Sequence, residues 1–386
     1  MNIALLLPSL GGGGAERVAQ QLGDYYTEKG DNVYYFLGKT NKKKDYDVKG
    51  IIVHTGIGFI DIVKDYGMFF FLYNMAKSVW RIRNLKKQYK IDVAISFMED
   101  FNYLNVLSKT NEKVIVRVCT IISECEELSD RILYRKSWFH RVYSNADKVV
   151  VMSQFAYNEM VNIYGLPKEK VKIIPNSVAP MFKGDSEESS WKYGEKVIIA
   201  VGRLSAEKNH DRLLRAFRIV AEKIDEARLI ILGQGPLLQY LNGICRLYGL
   251  EDKVYFLGFV KNPSMYLKKA QLFVMTSKIE GFGNAMIEAM SCGCPIVATD
   301  SPGGIRDIIC GGDKQYGIMT AMMPRKKLSI DDALTSEELE LGKAMLSLLE
   351  NEDIRNEYGN RSLKRAGDYE MEKVMEIWDD MLSALM

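Results

Sequence analysis

Short apolar runs alternate with longer amphipathic segments along most of this chain, and this pattern limits the possible folds more than any other feature. The runs of the first half are rich in β-branched and aromatic residues, which is typical of buried parallel strands. They are Ile3–Leu7, Val33–Leu37, Val93–Phe97, Val114–Val118 and Val149–Met152. Helical stretches lie between several of them, so the pattern predicts βαβ units and a parallel sheet.

The alternation stops at residues 183–195, a Gly-, Ser- and acid-rich stretch that is typical of a linker. A second series of strands then follows, predicted at Val197–Val201, Leu229–Leu232, Val254–Leu257, Leu272–Met275 and Ile296–Thr299. We therefore expect an α/β protein with two Rossmann-like domains, 1–182 and 196–370. Residues 371–386 form an amphipathic helical pattern that needs an apolar surface, and we expect this helix to return to the first domain.

Composition narrows the class of protein. Apolar residues make up 47% of the 386 residues and the net charge is +2, which indicates a globular enzyme and no nucleic-acid partner. Residues 1–185 carry 26 basic and 20 acidic side chains, which suits an anionic acceptor or membrane surface, although ordinary scatter of charge is an equal alternative. The six cysteines lack a disulfide or zinc pattern, and neither a signal peptide nor a spanning segment is apparent. We expect a cytoplasmic location.

A run of four glycines, Gly11–Gly14, stands between the first strand and the first helix. Without Cβ atoms, backbone N–H groups approach a phosphate at a helix start closely. The run has neither the G-x-G-x-x-G spacing of dinucleotide enzymes nor a Walker lysine. A flexible turn without a ligand is the alternative.

Two cationic residues follow the strand Val197–Val201, in the order Gly202-Arg203 and then Lys208-Asn209. Arg203 offers a planar fork for phosphate oxygens, and Lys208 offers a compact point charge. Together they suit a diphosphate leaving group. An ordinary surface arginine and lysine are the alternative.

The most informative motif runs from Glu280 to Glu288, directly after the strand Leu272–Met275. Glu280 is expected on the loop and Glu288 on a helix that starts near Asn284. A rise of ~1.5 Å per residue places the two carboxylates roughly 10 Å apart or more. Because this exceeds the ≈5–9.5 Å of glycosidase carboxylate pairs, we expect separate binding roles. Two solvated acids are the alternative.

These motifs together resemble the family-4 retaining glycosyltransferases, which have the GT-B fold. The Glu-x7-Glu motif, the Gly-Arg-x4-Lys-Asn motif and the glycine-rich loop carry the likeness. Further matches are Ile174–Ser177, Ala289–Asp300 and Gly303-Gly304. The likeness spans nearly the whole chain and is most specific over residues 197–309. It implies two Rossmann-like domains that face each other across a cleft.

The resemblance also implies roles for individual residues. Arg203 and Lys208, with Gly202 on the same loop, hold the donor diphosphate. Glu288 binds the ribose diol of the nucleotide, and Glu280 lies beside the donor sugar. Backbone amides contact the sugar hydroxyls or the diphosphate in the segment Phe282, Gly283, Asn284 and Ala285. From the first domain, Gly13 and Gly14 approach the phosphate and the acceptor.

One departure concerns a histidine that many relatives carry near the reaction centre. The corresponding region here is Thr120–Glu126, in which Cys125 stands where a basic residue is expected. We expect Glu124 to orient the acceptor, with an ordinary loop acid as the alternative. His140 is the nearest histidine, and we expect it to be a packed structural residue.

The implied activity is transfer of a sugar, with retention, from a nucleotide sugar to a glycan or lipid-linked saccharide in polysaccharide or glycan synthesis. A UDP-sugar is favoured, and neither a metal nor a cofactor is expected. Two alternatives stay open. One is an NAD-dependent oxidoreductase, which would need a G-x-G-x-x-G loop and an acid ~20 residues later. The other is a non-catalytic nucleotide- or carbohydrate-binding protein.

The predicted helix Tyr66–Tyr89 has an apolar start and a basic end, which suits a membrane interface and a lipid-diphosphate acceptor. Its basic residues are Lys77, Arg81, Arg83, Lys86, Lys87 and Lys90. The alternative is a core helix with a basic polar face. Peripheral association with an anionic membrane is therefore a hypothesis.

Overall fold

The computed structural model describes residues 1–11, 13–38, 46–57, 63–125, 135–178, 191–325 and 332–386, with the backbone alone for residues 63–68 and 70. The chain divides into two compact units. The first consists of Met1–Asn176 together with Glu372–Met386, and the second is Ser177–Met371. Residues 183–190 of the predicted linker lie outside the described residues.

The first unit is built on a parallel sheet of seven described strands in the order β3-β2-β1-β4-β5-β6-β7. The strands are β1 (Asn2–Leu7), β2 (Asn32–Leu37), β3 (Ile51–His54), β4 (Val93–Phe97), β5 (Lys113–Arg117), β6 (Lys148–Val151) and β7 (Val171–Ile173). The five predicted strands are all present. The two that were not predicted are the sheet edges β3 and β7, which are partly exposed and so lack a continuous apolar run.

Helices connect these strands. They are α1 (Gly14–Glu28), α2 (Val63–Gln88), α3 (Glu99–Leu107), α4 (Lys136–Tyr143) and α5 (Gln154–Asn158), the last of which continues as a π-helical turn at Glu159–Ile163. Helix α3 was not predicted, because its buried residues mix polar with apolar side chains. Asn102 donates to the Arg117 carbonyl at 2.9 Å, and Asn105 donates to the Ala94 carbonyl at 3.0 Å.

The second unit repeats the same plan, with six described parallel strands in the order β10-β9-β8-β11-β12-β15. Its strands are β8 (Val197–Val201), β9 (Arg228–Leu232), β10 (Val254–Gly258), β11 (Leu272–Met275), β12 (Ile296–Thr299) and β15 (Ile318–Thr320), with a small antiparallel pair, β13 (Cys310–Gly311) and β14 (Lys314–Gln315). Its helices are α6 (His210–Lys223), α7 (Leu238–Leu247), α8 (Ser264–Lys269), α9 (Asn284–Ser291), α10 (Ile305–Ile309), α11 (Ser336–Glu350) and α12 (Glu352–Ala366).

The last helix, α13 (Met371–Ser383), belongs to the first unit from Glu372 onward, so the predicted return is confirmed. Trp378 is buried there beneath the Arg117 guanidinium, which lies 5.6 Å from the ring centroid. Asp379 accepts hydrogen bonds from Tyr25 and Lys29 of the α1 region, each at 2.7 Å. Both units are therefore doubly wound α/β folds, in which ligands bind beyond the carboxyl ends of the strands.

Candidate functional site

The loops after β8 and β11 meet at the carboxyl edge of the second unit's sheet. Lys208 ends a short 3-10 turn after β8, and its ammonium lies 2.5 Å from the Glu280 carboxylate. Ser277 also donates to this carboxylate, at 3.1 Å. The Thr276 hydroxyl joins the two loops by donating to the Lys208 carbonyl at 3.1 Å. Lys208, predicted to hold the donor diphosphate, and Glu280, predicted to lie beside the donor sugar, are thus in direct contact.

Two glycines let the loop after β12 pack against the backbone around Glu280. Gly303 has a φ of +122°, and a Cβ at this position would overlap the Glu280 carbonyl oxygen. A Cβ on Gly304 would lie 2.5 Å from the Phe282 carbonyl oxygen. The Gly304 amide donates to the Glu280 carbonyl at 3.0 Å. Because glycine alone fits at both positions, these residues determine where Glu280 lies.

Helix α9 starts at the end of the same loop, after Gly283 with a φ of +115°. The first backbone N–H groups of a helix have no acceptor within the helix and favour an anion or a hydroxyl oxygen. The Phe282 ring is buried against Tyr369, with centroids 5.6 Å apart, so Phe282 offers a ligand its backbone rather than its ring. Asn284 and Ala285 form the first turn, and half-buried Glu288 follows one turn later.

Arg203 lies on the same loop as Lys208, directly after Gly202, and is exposed. Burial raises the pKa of the neighbouring Glu207 carboxyl, but a hydrogen bond from Ser205 and the charges of Lys208 and Arg203 lower it overall. Within the described residues, the Arg203 guanidinium takes no part in the Lys208–Glu280 ion pair. This loop therefore carries two cations, of which Lys208 is paired with Glu280 and Arg203 is exposed.

His210, which sequence reasoning missed, is buried at the start of α6 near the Gly202 and Arg203 carbonyls. Burial and then the charge of Lys208 lower the pKa of His210 to about 4, although these carbonyls oppose the shift. The ring is therefore neutral at pH 7. The only sequence signal was its place between the Lys208-Asn209 pair and an amphipathic helix.

The loop after β9 also belongs to this site and was not predicted. Gly233 has a φ of +144°, and a Cβ there would overlap the Gly202 carbonyl oxygen. A Cβ on Gly235 would overlap the Leu204 carbonyl in the same way. The Gly-x-Gly spacing after a buried strand was the signal that could have identified this close approach.

In the first unit, α1 starts at Gly14, and Gly13 precedes it in an extended conformation. The carboxylate of buried Glu16 occupies the space that a Cβ on Gly13 would need. An anionic group at this position repels a phosphate and accepts hydrogen bonds from hydroxyls. The local structure thus suits acceptor hydroxyls better than the phosphate expected from the resemblance. Gly12 lies outside the described residues.

Glu124 ends a short 3-10 turn, Ile122–Glu124, after β5. Glu159 is buried in the π-helical turn, and its carboxylate accepts from the backbone N–H groups of Ser123 at 2.5 Å and Ile122 at 3.3 Å. Burial raises the pKa of Glu159 although these hydrogen bonds oppose the shift. The turn that carries Glu124 therefore depends on a residue that the sequence did not identify. His140 is exposed rather than packed, with Nδ1 3.1 Å from the Tyr164 carbonyl.

A further acid, Glu99, is buried where β4 turns into α3. The preceding residue, Met98, has φ and ψ of 65° and 149°, a conformation that side-chain-bearing residues rarely adopt. Such backbone strain costs of order 1–3 kcal/mol and persists where surrounding structure enforces it. Nothing in the local sequence distinguished Glu99 from an ordinary acid at a helix start.

Helix α2 has one buried face. Lys86, which was predicted to belong to the basic surface of this helix, lies on that buried face. Lys86 is 2% exposed, and its ammonium lies 2.7 Å from the carboxylate of buried Glu112. Burial lowers the pKa of Lys86 to about 8, although the charge of Glu112 opposes the shift. Lys86 therefore contributes to the core rather than to a membrane-facing surface.

The opposite face of α2 carries exposed apolar side chains at helical spacing. We call Phe69, Leu72, Tyr73 and Trp80 the apolar face; Phe69 is 92% exposed and Trp80 is 66% exposed. Lys77, Arg81 and Lys87 are exposed on the same helix. The side chains of Met68 and Phe70, which were part of the predicted apolar start, lie outside the described residues.

Comparison with known sequences identifies the family. The family described as Glycosyltransferase Family 4 matches residues 12–181, and the family described as Glycosyl transferases group 1 matches residues 182–365. An uncharacterized glycosyltransferase of Methanocaldococcus jannaschii is 32% identical over 338 residues, which cover 79% of this chain and 82% of that protein. The chain belongs to the family-4 glycosyltransferases. The resemblance inferred from the motifs is therefore confirmed, and an oxidoreductase has no support.

Other similarities extend over the full length of this glycosyltransferase. The N-acetylgalactosamine-N,N'-diacetylbacillosaminyl-diphospho-undecaprenol 4-alpha-N-acetylgalactosaminyltransferase of Campylobacter jejuni is 26% identical over 387 residues, covering 97% of each chain. Sucrose-phosphate synthase from Thermosynechococcus elongatus superposes with a TM-score of 0.79 at 18% identity, covering 100% of this chain and 98% of that one. Anabaena HepE in complex with UDP and glucose superposes with a TM-score of 0.75 at 18% identity, covering 99% of both chains. The predicted GT-B fold is confirmed.

Within the part of the chain that the structure describes, no helix has the length and hydropathy of a bilayer-spanning segment. Among the same residues, no group of three or more His, Cys, Asp or Glu side chains is arranged to hold a metal ion.

Proposed function

We propose that this glycosyltransferase moves a sugar from a UDP-sugar to a glycan or lipid-linked saccharide, with retention of configuration and without a metal ion. The observation that carries the proposal is the Lys208–Glu280 contact beside the start of α9. This cluster offers a cation for a diphosphate, a carboxylate for a sugar hydroxyl and a helix start for either. The similar fold of HepE, solved with UDP and glucose, supports the choice of uridine.

In the proposed donor complex, the diphosphate replaces Glu280 as the partner of Lys208. Glu280 then accepts a hydrogen bond from a hydroxyl of the donor sugar, and Arg203 on the same loop binds the second phosphate. Glu288 binds the ribose diol. The backbone amides from Phe282 to Ala285 complete the anion site, and Gly202 lets the loop approach the phosphates.

The reaction breaks the bond between the anomeric carbon and the diphosphate oxygen, and the electron pair leaves with the phosphate. The acceptor oxygen forms its bond to the same face of the sugar, while the departing phosphate oxygen takes the acceptor's proton. Arg203, Lys208 and the helix-start amides stabilise the negative charge that grows on this phosphate. Because these groups supply the positive charge, the proposed reaction needs neither a metal nor a protein nucleophile.

For the acceptor, we propose a lipid-linked saccharide presented at an anionic membrane. The apolar face of α2 is flanked by exposed lysine and arginine side chains, which is the pattern of a helix that lies in a membrane interface. The Campylobacter relative, whose name specifies a diphospho-undecaprenol acceptor, supports this choice. Glu124, with Gly13 and Gly14, is proposed to contact the saccharide.

The donor proposal is tested with the purified protein and a panel of UDP-glucose, UDP-N-acetylglucosamine, UDP-N-acetylgalactosamine and GDP-mannose. Polyprenyl-diphosphate-linked N-acetylglucosamine and free oligosaccharides serve as acceptors, with and without EDTA. We expect transfer from a UDP-sugar that EDTA does not inhibit and an α-linked product by NMR. A β-linked product would exclude retention, inhibition by EDTA would exclude metal independence, and transfer only from GDP-mannose would exclude the UDP-sugar.

Arg203→Ala tests the leaving-group role. Loss of one such group should lower the transfer rate by roughly 10²-fold. Arg246→Ala is the matched control, because Arg246 is an exposed arginine at the end of α7, away from the loops that form the site. Parental activity in Arg203→Ala would contradict the mechanism.

Liposome co-sedimentation tests the membrane proposal separately. The double variant Phe69→Ser/Trp80→Ser should lose binding to vesicles that contain anionic lipid. The control Tyr240→Ser/Leu247→Ser removes two exposed apolar side chains of the second unit and should bind like the parent. Equal binding of both double variants would exclude the apolar face of α2 as the membrane contact.

A further inference from the structure

Four strands that lie side by side in the first unit's sheet are each followed by a glutamate. In the sheet order β1-β4-β5-β6, these residues are Glu16, Glu99, Glu124 and Glu159, which we call the acidic edge. Electrostatic interactions connect Glu99 with Glu159 and Glu159 with Glu124, and Cys119 interacts with both Glu16 and Glu99. The four residues are therefore near neighbours at the carboxyl ends of the strands.

Glu99 is a buried member of the acidic edge whose hydrogen-bonding capacity is not fully used. It is 9% exposed, and its Oε1 atom has no hydrogen-bond partner among the described residues. Glu159 instead bonds to two backbone amides of the turn that carries Glu124. A buried carboxylate oxygen without a partner is costly, so its presence in a folded protein calls for a ligand that completes it.

The surrounding backbone holds Glu99 in this place. Met98, with its φ of 65°, turns the chain sharply between β4 and α3. The backbone N–H groups of Glu99 itself and of Cys119 interact with the carboxyl group. Burial and these two amides therefore restrict the carboxyl group, which suits a binding site.

We propose that Glu99 binds a hydroxyl group of the acceptor saccharide, an inference that rests on the glycosyltransferase function proposed above. The ionised carboxylate accepts the hydroxyl hydrogen bond at Oε1. A sugar ring presents several hydroxyls, and Glu16 and Glu124 offer further acceptors from adjacent strands. Glu99 touches the substrate but takes no proton from it, because the proton leaves with the phosphate.

The protonation of Glu99 makes this binding depend on pH. Burial, and then the charges of Asp100 and Glu159, raise the pKa of Glu99 to about 7, although the amides of Glu99 and Cys119 oppose the shift. The titratable groups that face it are Asp100, Tyr103, Cys119 and Glu159, with Glu16 beyond Cys119. Because the ionised form binds the hydroxyl, acceptor affinity should rise as the pH rises through about 7.

The test measures the KM of the acceptor and the KM of the donor between about pH 6 and pH 8. It uses the donor and acceptor of the panel above that give the fastest transfer. For the parent, a group that must be ionised and titrates near pH 7 predicts an acceptor KM about 10-fold lower at pH 8 than at pH 6. The donor KM should stay within about twofold, because Glu99 has no part in the donor site.

Glu99→Gln should raise the acceptor KM at pH 8 by roughly 10-fold or more and abolish its pH dependence. Asp100→Asn, which removes the adjacent acid of the same helix, is the matched control and should keep a pH-dependent acceptor KM. If Glu99→Gln fails to fold, the pH dependence of the parent's acceptor KM tests the inference without the variant.

An acceptor KM of the parent that is constant from pH 6 to pH 8 would overturn the inference, as would a parental acceptor KM in Glu99→Gln. Both results leave the proposed transferase activity intact, because transfer is still observed. If no pair in the panel supports transfer, the proposed function fails, and the inference fails with it.

Discussion

Replacement of Glu99 by glutamine should change how the stability of the first unit depends on pH, whether or not the protein is turning over substrate. The pKa of Glu99 is raised from 4.5 to about 7 in the folded protein, mainly by burial. In the unfolded chain the carboxyl ionises at its ordinary pKa. The folded state therefore binds more protons between these values, and its stability falls as the pH rises.

The size of the effect follows from the shift. Each pKa unit corresponds to 1.36 kcal/mol, so the full shift is about 3 kcal/mol, of which about 2.5 kcal/mol falls between pH 5 and pH 8. This contribution of Glu99 is fully present below its unfolded pKa and is lost as the pH rises through about 7. Glu99→Gln cannot ionise, so the variant should gain about 2.5 kcal/mol relative to the parent over the same range.

Urea unfolding at pH 5 and pH 8 measures this difference, with the transition of the first unit followed by tryptophan fluorescence. Asp100→Asn controls for removal of a nearby acid. If the difference in unfolding free energy between Glu99→Gln and the parent is the same at both pH values, the folded carboxyl ionises normally. That result would refute the argument that burial raises the pKa of Glu99.

Three further substitutions test other parts of the structure. Lys86→Met leaves Glu112 buried without its cation and should lower the free energy of unfolding, measured by urea titration, by about 3–5 kcal/mol. The control Lys87→Met replaces an exposed lysine and should change this free energy by no more than about 0.5 kcal/mol. Gly303→Ala should displace Glu280 and abolish the thermal shift with UDP, so a parental shift would contradict the close approach of these two loops. Trp378→Ala should lower the free energy of unfolding of the first unit, measured by calorimetry, by about 3–5 kcal/mol. An unchanged unfolding transition would show that α13 adds little to the core of this unit.

The sequence could predict the central strands and not the sheet edges, for a physical reason. Strands such as β4 are buried on both faces, so nearly all of their positions are apolar and the apolar run is almost continuous. Edge strand β3 is partly exposed and lacks this signal. Helix α3 was missed because the buried Asn102 and Asn105, which form hydrogen bonds into the sheet, interrupt the apolar periodicity of the helix.

The residues of the candidate site likewise divide into those that the sequence identified and those that it did not. Lys208 and Glu280 could be identified because their loops follow buried strands and belong to recognisable motifs. Their contact with each other is a feature of the tertiary structure, which these motifs do not encode. Glu99 and His210 carry no motif. Both are buried and have side-chain atoms without a hydrogen-bond partner among the described residues, and these properties arise only when distant segments are packed together.

The discontinuity of the first unit has a consequence for how the protein is made. Since α13 supplies the buried Trp378, the first unit is incomplete until α13 has been synthesised. Every residue of the second unit precedes Trp378 in the chain, so we expect the second unit to complete its fold first, in contrast to the usual order in which the domain made first also folds first. A nascent chain arrested before α13 would expose an unfilled apolar surface, and chaperones recognise surfaces of this kind.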